Sequence, residues 1–190
     1  MSAPTLANHL LIAMPALNDP NFSHTVTLVC EHAADTGALG IVINKPLPMR
    51  LAEVLSQMHL EPRDEQIAGQ PVLRGGPVRA DSGFVLHRPG GSWNRSIRVS
   101  DLVQITTSRD VLEAMARGEG PQDAFIALGC AGWDAGQLER EIRENAWLPM
   151  PVDERVVFGL PFEQRWQGSW ELIGVDMEKI RQMSLVAGNA

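Results

Sequence analysis

The stretch Phe125-Ile-Ala-Leu-Gly-Cys-Ala-Gly-Trp-Asp-Ala-Gly-Gln-Leu-Glu139 decides how this chain is read. Its first residues, Ala124 to Leu128, are apolar and β-branched enough for a buried strand. Gly129, Gly132 and Gly136 then predict a tight turn carrying Trp133, because glycine reaches conformations closed to other residues. Asp134 and Gln137 have the spacing of a helix N-cap and its reciprocal partner, so a helix is expected from there to about Asn145. A strand, a glycine turn and a helix in this order aim free backbone N–H groups at the space above the turn.

Working outward, strands are expected at His9–Met14, Thr25–His32, Ala38–Asn44, Pro71–Arg74, Gly83–His87, Leu102–Thr106 and Val156–Phe158. Within Thr25–His32, strict alternation puts Val26, Leu28, Cys30 and His32 on one face. Leu51, Val54, Leu55 and Met58 fall at helical spacing, as do Val111, Leu112, Met115 and Ala116 after a capping pattern at Thr107 and Asp110. Phe162, Trp166, Trp170 and Ile173 continue the pattern in a C-terminal helical segment spanning 161–185, with Asp176 opening its last short piece. Two of the gaps between strands are too short for a crossover helix. The expectation is an α+β fold of one domain over 1–190, with a mixed or mainly antiparallel sheet and packed helices.

Composition narrows the function. At 190 residues one core suffices, and roughly 70% of the unfolded chain's surface is buried at this size. Cys30 and Cys130 stand a hundred positions apart, which suits a reducing compartment better than a disulfide framework. The apolar stretch Leu10–Leu17 is short, broken by Pro15 and preceded by no basic residue, so neither a signal peptide nor a membrane span is expected. The chain reads as cytoplasmic.

Net charge is −7, and fourteen of the sixteen basic residues are Arg. Residues 74–98 hold five Arg against Asp81 alone, a local +4 that leaves −11 on the rest. That cluster lies in expected strands and turns, not on a helix that could enter the major groove. Helix 135–145 carries three Glu and two Arg, a poor surface for phosphates. Direct duplex-DNA binding at physiological salt is therefore not expected.

Several residues could carry chemistry, and each has a plainer use. The glycine turn (Gly129, Gly132, Gly136, with Trp133) lacks the spacing of a P-loop or a dinucleotide fingerprint. Gly75-Gly76-Pro77 between Arg74 and Arg79 could hold an anion or simply make a hairpin bend. Glu31 and His32 could act as acid and base with a partner such as His87 or Asn44, but as strand neighbours they face apart. Cys30 and His32 give no third metal ligand, so no metal and no cofactor are expected. Cys130, near an expected helix N-terminus, could be an activated thiol or a core filler.

Taken together and in order, Leu10-Leu-Ile-Ala-Met-Pro15 with Asp19-Pro-Asn-Phe22, Glu31-His32, Gly37-Ala-Leu-Gly-Ile-Val-Ile-Asn-Lys-Pro46, Gly75-Gly-Pro-Val78, Gly83-Phe-Val-Leu-His87 and Gly129–Glu139 resemble the AlgH/YqgE family of bacterial proteins over about 8–175. The resemblance implies a compact α+β domain with coiled, bifurcated sheets, and a cytosolic protein whose family name comes from a proposed part in regulating alginate synthesis. It carries over no catalytic residue. Two positions depart from the family: Lys45 stands where Arg is usual, and Cys130 where Tyr is usual.

The leading expectation is a regulatory or ligand-binding protein that takes a small anion or a protein partner. Its candidate site is Asn44, Lys45, Gly75, Gly76, Arg79, His87, Gly129, Gly132, Trp133 and Gly136. An enzyme using Glu31, His32 or His87, and a DNA-binding transcriptional regulator, are the alternatives.

Overall fold

The computed structural model describes residues 4–176 with 178, 179, 181 and 182. Residues 177, 180 and 183–185 of the expected C-terminal helical segment lie outside them. Two compact units share the chain. One takes residues up to Lys45 and from Ala131 on; the other is the stretch between, Pro46–Cys130.

In chain order the first unit begins with β1 (His9–Ala13), β2 (Val26–Ala33) and β3 (Gly37–Val42), which pair antiparallel in succession. The expected alternation in β2 fails. A bulge between Val29 and Glu31 breaks the register, and Val26–Cys30 are all buried, so both faces of this part are covered.

The second unit runs through β4 (Pro46–Arg50), α1 (Leu51–Gln57), α2 (Glu65–Ala68), β5 (Pro71–Arg74), β6 (Val78–His87), β7 (Ser96–Arg98), β8 (Gln104–Thr106) and α3 (Arg109–Ala116). β9 (Phe125–Trp133) passes from this unit into the first at Cys130–Ala131. Within the second unit β9 takes β5 in parallel and β6 antiparallel, β6 pairs with β8, and β8 with β7. The Gly75-Gly76-Pro77 segment is therefore no hairpin: β5 and β6 do not pair but both bond to β9. The helical stripes read from sequence are the core. Leu51, Val54 and Leu55 of α1 pack with Val111, Leu112, Met115 and Ala116 of α3, and with Val72, Val85 and Ile126 from the sheet. α3 starts after Ser108, not Thr107.

Returning to the first unit, Ala131–Trp133 of β9 pair with β3. α4 (Gln137–Arg143) follows, then β10 (Trp147–Pro151), which lies against β1 only. β10 was hidden by Pro149 and Pro151, which forbid a central strand but suit an edge, where no N–H is needed on the outer side. The strand expected at Val156–Phe158 is instead a π turn, Arg155–Gly159, closed by Leu160 N–H on the Arg155 carbonyl (2.7 Å) and started by Asp153, whose carbonyl accepts from both Val156 and Val157. A 3₁₀ turn (Phe162–Gln164) leads into α5 (Arg165–Ile173), which buries Trp166 and Trp170 as expected. The α+β class and the mainly antiparallel pairing are as the sequence indicates.

Candidate functional site

The glycine stretch is not the turn its composition suggests. Gly129, Cys130, Gly132 and Trp133 belong to strand β9, and only Gly136 turns. α4 begins after Gly136, in the left-handed region at φ 75°, with no side-chain cap. Asp134 is not its N-cap. The Asp134 carbonyl accepts from Gln137 N–H, and the Asp134 N–H donates to the Gln137 side chain (both 2.9 Å). The cap expected at Asp134 is therefore not formed.

Gly129 makes a bend inside the strand, and Gly75 and Gly76 lie on it. Gly75 N–H donates to the Leu128 carbonyl at 2.7 Å. A Cβ on Gly75 would sit 2.2 Å from the Gly129 carbonyl oxygen, and one on Gly129 would sit 2.4 Å from that of Gly76. Backbone fills this space, so the paired glycines serve a close crossing of two chain segments and leave no open cradle there. Arg79, with φ 49°, follows the crossing. Cys130 is fully buried beside it, and burial pushes its thiol above the usual range, although the Arg79 charge opposes this. Of the two readings of Cys130, the core filler is the one its place in a buried strand fits.

His87 is fully buried on β6. Its Nδ1 faces the Arg88 carbonyl at 2.7 Å and must carry the proton, so Nε2 accepts from the Thr106 hydroxyl at 2.8 Å. The chain of bonds continues with Ser96 donating to Thr106 and Gln104 to Ser96. Burial lowers the His87 pKa, with the Arg88 bond opposing. His24 in the first unit is also lowered, by burial and then by Lys45. Both groups bind protons less readily folded than unfolded. Stability from them is complete above the ordinary value of 6.5 and is lost as pH falls below it. Urea midpoints measured from pH 7.5 down to about 5 should fall, and His87→Gln should flatten the profile; a flat wild-type profile would refute this.

His32 finds a partner the sequence did not suggest. Its Nδ1 accepts from Leu6 N–H at 3.0 Å, and its Nε2 donates to Glu139 of α4 at 2.7 Å. The Glu139 carboxyl is held below its ordinary range by its own backbone N–H and by this imidazole. Both nitrogens are occupied, and Glu31 is exposed beside a hollow at the β2–β3 turn. Among the described residues no group of three or more His, Cys, Asp or Glu is placed to hold a metal.

Trp133 is buried in an aromatic cluster with Phe22 and Trp147, at 5.5–6.3 Å between ring centres. Beneath it one oxygen of Glu141 accepts both indole N–H groups at 2.9 Å, and the other accepts the Gln137 amide. Gly132 is open, with nothing near its missing Cβ.

Asn44 and Lys45 follow β3. The Asn44 side chain accepts from Val26 N–H (2.8 Å) and donates to the His24 carbonyl (2.9 Å), fixing His24 at φ 58° next to Lys45. The His24 ring meets the edge of Trp166 at 4.3 Å. Arg165, one residue before that tryptophan, donates from Nη1 to the Ile43 carbonyl at 2.8 Å, and burial lowers its pKa to about 10. Lys45 is half-buried and lowered by burial too. Three basic side chains, Lys45, Arg165 and the largely neutral His24, thus lie around residues 43–45. Sequence reasoning missed His24 and Arg165, because their meeting depends on pairing across strands and on α5 docking.

Of the expected site residues, Asn44, Lys45, Gly132, Trp133 and Gly136 belong to the first unit. Gly75, Gly76, Arg79, His87 and Gly129 belong to the second, where the three glycines and Arg79 are brought together.

Comparison with known proteins places this architecture. A UPF0301 protein of Thioalkalivibrio sulfidiphilus is 53% identical over 189 residues, covering 100% of this chain and 97% of its own. One of Xanthomonas campestris pv. campestris is 51% identical over 179 residues, covering 94% and 95%. The solution structure of the AlgH protein from Pseudomonas aeruginosa matches at TM-score 0.79 and 43% identity, over 95% of this chain and 96% of that one. A crystal structure from Corynebacterium diphtheriae, at TM-score 0.70 and 18% identity, shares the fold alone. With a family model described as AlgH-like (DUF179) matching residues 10–178, and with these blocks folded as its solved relative folds them, the chain belongs to the AlgH-like family.

Proposed function

We propose that this protein is a non-catalytic, cytoplasmic binding protein that takes a small oxyanion, a carboxylate or phosphate, at Lys45 and His24. The observation that carries this reading is the set of basic side chains around residues 43–45. Lys45 makes no ion pair among the described residues, and burial has lowered Lys45 and His24 alike. An anion bound beside such partly desolvated basic groups would favour their protonated forms. Asn44, spent on the backbone, holds the geometry and does not bind the ligand. The candidate acids and bases support a binding role over an enzymatic one, since His87 and His32 have both ring nitrogens engaged within the protein.

The test is an NMR titration of the His24 ring with pH, with and without inorganic phosphate. Phosphate should raise the His24 pKa, because an adjacent anion stabilises the imidazolium. Lys45→Met should raise it in the free protein, by removing a like charge, and should abolish the phosphate response. A wild-type His24 indifferent to millimolar phosphate would sink the proposal, as would an equal response in Lys45→Met.

A further inference from the structure

A further cavity lies apart from these groups, in the second unit. It is a groove of about 520 Å³ between α1, α3 and the face of β6 and β9. Its floor is Met49, Val54, Met58, Leu112, Ile126 and Leu128; its rim carries Gln57, Asp81, Thr107 and Arg109. A concave, mostly apolar space of this size with a few polar groups at the edge has the form of a small-molecule site. The two methionines give it an adaptable wall, because the thioether chain is unbranched and repacks easily.

Gly83 is what keeps the groove open. Its backbone is unstrained, and a Cβ there would meet only Ile126 Cδ1 at 3.5 Å and Leu128 Cδ2 at 3.8 Å, both ordinary contacts. Nothing in the local backbone requires glycine at this position of β6. A larger side chain would project into the groove and fill it.

The rim sets the charge of the occupant. The Arg109 guanidinium is engaged by Glu113, one turn along α3, at 2.8 Å. Asp81 is exposed and makes no ion pair among the described residues. The uncompensated rim charge is therefore negative. We propose that this groove binds a small amphipathic cation, an apolar chain or ring bearing a protonated amine, with the apolar body on the methionine-lined floor and the ammonium at Asp81.

Three probes with one apolar body separate the possibilities: octylamine, octanol and octanoate, titrated into the full-length protein while the methionine methyl resonances are followed. The Met49 and Met58 methyls should shift, and octylamine should bind about threefold more tightly than octanoate, the gain of one exposed ion pair. Asp81→Asn should remove that preference and leave octanol unchanged. Gly83→Leu should abolish binding of all three, whereas Gly83→Ala should retain it. Absence of any Met49 or Met58 shift overturns the site, and octanoate binding as tightly as octylamine overturns the ligand class. A folded Gly83→Leu that binds normally overturns the role of the glycine. Should Gly83→Leu fail to fold, the wild-type shifts and Asp81→Asn decide the matter alone.

Discussion

Gly129→Ala should destabilise the protein by about 4 kcal/mol, the sum of a left-handed backbone now carrying a Cβ and a collision that cannot relax. At φ 80°, the new Cβ would meet the Gly76 carbonyl oxygen at 2.4 Å and that of Val78 at 3.1 Å. Both are backbone atoms of segments fixed by pairing to β9, so neither can swing aside as a side chain would. Gly75→Ala separates the two contributions. Its φ is not in the left-handed region, but its Cβ would lie 2.2 Å from the Gly129 oxygen, so it should cost about 2 kcal/mol from collision alone. Gly132→Ala is the control, because that site is open and its backbone ordinary; it should change stability by under about 0.5 kcal/mol. Urea unfolding of the three variants checks the ranking. A Gly129→Ala protein as stable as wild type would show that the crossing is not as tight as described.

Glu141→Leu should cost about 3 kcal/mol, with an altered tryptophan emission. The substitution keeps apolar volume but leaves the buried indole N–H groups of Trp133 and Trp147 without an acceptor, at about 1–3 kcal/mol each. Glu141→Gln should cost about 1 kcal/mol, since one amide oxygen can accept both indoles as one carboxylate oxygen does now, and only the Gln137 amide loses its acceptor. Equal losses in the two variants would show that charge, not the acceptor, matters at this position. Guanidinium chloride melts followed by tryptophan fluorescence suffice.

What the sequence made legible follows from what each element depends on. The stripes Leu51–Val54–Leu55 and Val111–Leu112–Met115 needed only helical spacing and an apolar core to face, and both were found where they were read. β10 and β4 were not legible, because their prolines argue against a strand until it is known that each has a single partner. Glycines 129 and 132 looked like turn residues because composition cannot tell a turn from a strand, crossed by another backbone at Gly129 and open at Gly132. At the site, Lys45 and Asn44 could be picked out from the sequence. Their neighbours could not: His24 is brought to Lys45 by an Asn44 bond spanning 20 residues, and Arg165 reaches Ile43 across 122. The Glu139 partner of His32 likewise spans 107 residues. The boundary between the units was hidden because one crossing falls inside an uninterrupted strand.

That interleaved path sets a timetable for synthesis. The sheet of β1, β2 and β3 emerges first, yet the strands that flank it, Ala131–Trp133 beside β3 and β10 beside β1, are encoded after the whole of Pro46–Cys130. At about 5–20 residues per second, a ribosome needs roughly 5–20 s to go from Lys45 to Pro151. During that interval the middle unit can close on itself, while the amino-terminal strands leave apolar faces and unpaired edges uncovered. The hazard in making this protein thus lies with its first fifty residues, and nascent-chain binding by a holdase should concentrate there rather than on the middle unit, which completes itself as it is made.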